Sequence, residues 1–83
     1  MKKKIGYEVR IKSNEWYSKN NIKGTIEHED FDFVFSMQQY CGKYAKIVAI
    51  SKMYNAYILD IDNNDNFWAD WMFDNIKDKK YEN

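Results

Sequence analysis

Three sets of side chains in this sequence have the types and spacing that chemistry requires. Asp60-x-Asp62-x-Asn64 begins like a calcium-binding loop, where oxygen ligands recur at alternate positions. Such a loop needs Gly at its sixth position and a bidentate Glu at its twelfth, and those places hold Asp65 and Trp71. The segment also follows a strand pattern rather than a helix, so a solvated turn is expected. His28 and Cys41 are the single histidine and single cysteine of the chain. A zinc site wants four ligands, and a thiol nucleophile wants an activated thiolate beside a base. His28, flanked by Glu27 and Glu29, reads instead as a solvated loop residue, and Cys41 as a small, partly buried hydrophobe. Asp60 and Asp62 share one face of a strand pattern, as general acid/base pairs do, but nothing nearby suggests a pocket, and an outward polar edge is expected. The three glycines stand too far apart for a phosphate loop. These residues predict no catalytic centre, no metal and no cofactor.

Binding chemistry is better supplied. Three Trp, seven Tyr and five Phe are more rings than a domain of 83 residues readily buries. Trp68, Tyr57, Phe33 and Met72 fall at positions expected to face a core. Trp16, Tyr17, Tyr54 and Trp71 fall in loops or on the outer side of a turn, where exposed rings become interaction anchors. The acids Glu27, Glu29, Asp30 and Asp32 would steer a basic partner toward them. The protein-binding candidates are therefore Trp16, Tyr17, Glu29, Asp30, Asp32, Tyr54 and Trp71. The alternative is nucleic acid, with Lys2, Lys3, Lys4 and Lys12 tracking phosphates while Tyr7, Trp16 and Tyr17 stack on bases. A net charge of zero and two acidic stretches weigh against it. A homodimer joined through exposed rings or an edge strand is a third option.

The elements that must carry these side chains read mostly as strands. Tyr7–Lys12 and Phe31–Phe35 alternate apolar and polar residues, Lys43–Ile50 is rich in branched residues, and Tyr57–Asp62 alternates again. Asn63-Asn64-Asp65-Asn66 marks a turn, and Phe67-Trp68 a short last strand. Ser36 is expected to cap a helical turn over Met37–Tyr40, and Asp70 another over Trp71–Phe73. Residues 13–29 read as a long connection without periodicity. The expected fold is all-β: a small five-stranded SH3-like barrel with one or two short helical turns, over residues 1–76. Residues 77–83 form a polar tail. The lone cysteine and the lack of any long apolar run predict a protein of a reducing cytoplasm with no membrane contact.

Val9-Arg10-Ile11-Lys12-Ser13, the Phe-x-x-x-Met-x-x-Tyr segment from Phe33 to Tyr40, Gly42-Lys43-Tyr44-Ala45-Lys46-Ile47-Val48, Leu59-Asp60-Ile61-Asp62 and Phe67-Trp68-Ala69-Asp70-Trp71-Met72-Phe73 together form a recognisable series. It resembles the small phage and prophage proteins similar to the mind bomb/HERC (Mib–HERC) SH3-like repeat. Ala69 stands where that family usually has a Ser or Thr cap. The resemblance implies a protein-recognition module in the cytoplasm of a bacterial host cell. It further implies a partner among host proteins, such as a basic nucleic-acid-handling enzyme, and hence an inhibitor of the anti-CRISPR type acting on a defence nuclease.

Overall fold

A computed structural model of the chain describes residues 3–29 and 31–74. Lys2, Asp30 and the tail 77–83 lie outside the described residues. Strand β1 (Glu8–Arg10) leads through a short connection into helix α1 (Asn14–Asn20). After two close loops comes a 3-10 helix, Phe35–Tyr40, and then the long strand β2 (Tyr44–Ser51), strand β3 (Ala56–Leu59) and a second 3-10 helix, Asp70–Met72. The three strands form one antiparallel sheet in the order β1-β2-β3. Val9 pairs with Ala45, and Ile47 with Leu59. The register shifts between Ile47 and Ala49, and Val48 lies exposed on the outward side of β2 with Tyr44 and Lys46.

The closed five-stranded SH3-like barrel expected from the sequence does not form; the sheet is open and three-stranded. Both missing strands fail for the same reason. In Phe31–Phe35 only Phe33 pairs, with Ile26, before the backbone winds into the 3-10 helix at Phe35. In Phe67-Trp68 only Trp68 pairs, with Tyr57, before the chain turns at Asp70. Each bridge is antiparallel but supplies the hydrogen bonds of one residue pair only, too few to extend into a strand. Phe33 is therefore fully buried while Phe35 points to solvent, although strict alternation would place them on one face.

Further expectations change at the helices. The connection 13–29 contains α1: Ser13 accepts the Trp16 amide at 3.0 Å as its N-cap, and Lys19 pairs with Glu15 one turn away. Neither Ser36 nor Asp70 caps its 3-10 helix. The caps fall at Val34 and Ala69, whose amides each donate to a methionine sulfur three residues on, Met37 and Met72, at 3.4 Å. Thioethers are weak acceptors, but both methionines are buried, so the contact gives an otherwise orphaned helix-start amide a partner without bringing a charge into the core.

The core gathers Val9, Ile11, Ala45, Ile47, Tyr57 and Leu59 from the sheet and its margins with Phe33, Trp68, Met72 and Phe73. The ring of Trp68 meets those of Phe33 and Tyr40 edge-on. The last segment ties the fold together: Trp68 bridges to β3, and Phe73 bridges to Ile11 beyond the end of β1.

Candidate aromatic and acidic interface

Trp16 is presented by the first turn of α1, which Ser13 holds in place. Its indole packs edge-on against buried Phe33, with ring centres 5.0 Å apart, and lies 6.0 Å from the ring of Trp71. Trp71 comes from the second 3-10 helix, near the far end of the described chain. On it lies His28, nearly parallel at 11° and 4.5 Å. Lys12 completes the row with its ammonium 5.3 Å over Trp16. The structure thus brings Lys12, Trp16, Trp71 and His28 into one ladder. The Trp71 indole N–H is buried and has no hydrogen-bond acceptor among the described residues, which marks the ring as held by packing rather than by a polar anchor.

His28 is exposed, as expected of a solvated loop residue, and in addition it stacks on Trp71, while its backbone amide donates to the Asp32 carboxylate at 3.2 Å. Nothing in the local sequence signals this contact, since its partner is remote in the chain. Around it Glu27, Glu29 and Asp32 line the loop, the two glutamates exposed. Among the described residues the ion pairs are Lys3–Asp70, Arg10–Asp74 and Lys19–Glu15, none of which uses these acids.

The remaining candidates part company. Tyr17, expected to be an exposed anchor, is buried, and its hydroxyl donates to the Gly24 carbonyl at 2.6 Å. It braces the turn at Gly24 and is unavailable to a partner. Tyr54 is exposed at the tip of the β2–β3 hairpin, its ring 5.1 Å from Phe67. Asp30 lies outside the described residues. Of the lysines, Lys3 binds Asp70 at 3.1 Å and sits over the Phe73 ring, Lys4 is exposed, Lys12 belongs to the ladder, and Lys2 lies outside the described residues.

The sites considered for chemistry are used otherwise. Asp62, expected on an outward polar edge with Asp60, is 2% exposed. Its Oδ2 accepts from the Trp68 indole N–H at 3.1 Å and from the Asn66 amide at 2.9 Å. The alternation that would have turned it outward ends at Leu59, where β3 ends. No group of three or more His, Cys, Asp or Glu suited to a metal exists among the described residues. Cys41 lines an open groove of about 430 Å³ with Asn14, Phe35, Ser36, Gln38 and Gln39, and burial pushes its thiol pKa above the ordinary value. A raised thiol pKa means less thiolate, the reverse of activation. No helix among the described residues is long and apolar enough to cross a membrane.

No protein-family model, curated protein or solved structure matches this chain.

Proposed function

We propose that this is a small non-catalytic module that binds a basic protein through the Trp16–Trp71–His28 ladder and the acidic loop beside it. The observation that carries the reading is the pairing of the two: stacked, partly exposed rings adjoin carboxylates that have no counter-ion among the described residues. Exposed tryptophan is among the side chains most enriched at binding hot spots, and unpaired surface charge speeds encounter with an oppositely charged partner. In the setting that the sequence resemblance implies, the partner is a host protein that handles nucleic acid, and binding inhibits it.

The test is affinity capture from bacterial lysate, with and without nuclease, comparing the native chain with Trp71→Ala and with the double variant Glu27→Lys/Glu29→Lys. The expected result is one basic host protein that survives nuclease and is lost with both variants. Circular dichroism checks that Trp71→Ala stays folded, and the exposed double variant tests the reading independently of that outcome. Capture that disappears with nuclease would instead favour nucleic acid at Lys12 and Trp16. Capture unaffected by either variant would remove this surface from consideration.

A further inference from the structure

We infer that a second aromatic station, Phe31–Phe67–Tyr54, belongs to the same docking surface, and that the two stations together fit an extended, arginine-bearing segment of a basic protein; this rests on the protein-binding reading above. The rings of Phe31 and Phe67 are 5.7 Å apart and those of Phe67 and Tyr54 5.1 Å apart. Tyr54 and Phe67 keep 52% and 37% of their surface exposed. Tyr54 and Phe67 thus present apolar area and π-faces to solvent, with Phe31, partly buried against the core, fixing Phe67 from below.

Two links join this station to the first. One is the chain itself: His28 lies on Trp71 and Phe31 on Phe67, and three residues of extended backbone span at most about 10 Å. The other is the core beneath, where Phe33 touches both Trp16 and Trp68, the residue that follows Phe67. An extended peptide advances about 3.3 Å per residue and turns alternate side chains to one face, so side chains two residues apart reach both stations from the same side.

Charge selects the occupant. The connecting loop carries Glu27, Glu29 and Asp32 without ion pairs among the described residues, and from Gly24 to Gly42 the chain has no lysine or arginine. Arginine suits this combination better than lysine, because its planar guanidinium stacks on a ring while its N–H groups bond a carboxylate. Phosphates would meet repulsion at the same place.

The experiment is fluorescence anisotropy of the full chain with labelled peptides of about ten residues. One carries two arginines two positions apart in a Gly/Ser background, a twin carries lysines there, and a short single-stranded DNA serves as a third probe. The arginine peptide should bind more tightly than its twin. Tyr54→Ala, at an exposed hairpin tip, should weaken it roughly two- to fivefold, the usual size of one cation–π contact at an exposed site. Val48→Ala on β2 should leave binding unchanged. Equal affinity for the twin, indifference to Tyr54→Ala, or no peptide binding overturns the inference; the protein-binding reading is decided separately by the Trp71→Ala capture. Binding of the DNA in place of both peptides likewise overturns the inference.

Discussion

The loop 27–32 and the turn 60–66 carry similar acids and put them to opposite uses. In the turn, the Asp60 carboxylate accepts the Lys46 amide at 3.0 Å while the Asp60 amide donates to the Lys46 carbonyl. The side chain thus takes the hydrogen bond that a backbone carbonyl would have taken had β3 continued, and the chain is free to turn. Two residues on, Asp62 anchors Trp68 and Asn66. Asn63 and Asn64 supply the left-handed backbone between, with φ of 56° and 67°, a region that asparagine enters more cheaply than most residues. In the loop, Asp32 receives one amide, and Glu27 and Glu29 have no ion pair among the described residues. Acid content is the same kind of signal in both places. What separates structural from available charge is whether a donor inside the fold has claimed it.

Asp62 gives the largest test of that contrast. Asp62→Ala leaves the Trp68 indole N–H, in a fully buried ring, without an acceptor, and also releases Asn66. An abandoned buried donor costs about 1–3 kcal/mol, so a loss of ~2–3 kcal/mol is expected. In urea unfolding the midpoint should fall with the slope unchanged. Asp62→Asn keeps one acceptor oxygen and should lose less. A loss below ~0.5 kcal/mol for the alanine variant, the range of an ordinary surface change, would mean the turn's acids are no more structural than the loop's.

Asp60 should follow with a smaller effect. Its carboxylate is exposed, and water replaces it as the acceptor for Lys46 once it is removed. Asp60→Ala should therefore cost about 0.5–1 kcal/mol, the net worth of one ordinary hydrogen bond. Amide hydrogen exchange localises the loss: Lys46 should exchange faster while Ile47, inside the ladder, is little changed. Equal acceleration of both would show that Asp60 supports the whole β2–β3 pairing.

The sheet was legible where alternation was backed by burial. Val9, Ala45, Ile47, Tyr57 and Leu59 all lie in the core, and so do Trp68, Phe33 and Met72, as their positions in the sequence imply. Closure was not legible, because alternation reports which face a residue turns to and says nothing of how many neighbours its backbone pairs with. Helix α1 escapes a periodicity reading because only Tyr17 of its seven residues is buried, so it carries no apolar stripe. Its cap and its Glu15–Lys19 pair were the readable signals. In the proposed interface, Trp16, Trp71, Glu29 and Asp32 were singled out by residue type. The placement of His28 on Trp71 and of Phe31 on Phe67 depends on tertiary packing between distant segments, which no local pattern encodes. Tyr17 misleads for the converse reason: the Gly24 carbonyl that holds its hydroxyl is presented by a turn that only the folded chain defines.

The smallest effect on stability belongs to the loop, and its smallness is the point. In Glu27→Gln/Glu29→Gln/Asp32→Asn, the asparagine keeps an acceptor for the His28 amide, and the two glutamines replace exposed side chains that form no ion pair among the described residues. Stability should stay within about 0.5 kcal/mol of the native chain, as for surface changes away from internal contacts. At low salt the variant should be marginally the more stable, because repulsion among unpaired like charges is relieved, and the difference should shrink as added salt screens it. Urea midpoints at low and high salt measure both. If the variant instead lost ~1 kcal/mol or more, well outside the surface range, these carboxylates would be bound into the fold as firmly as Asp62. The loop would then have no spare charge to offer a basic partner.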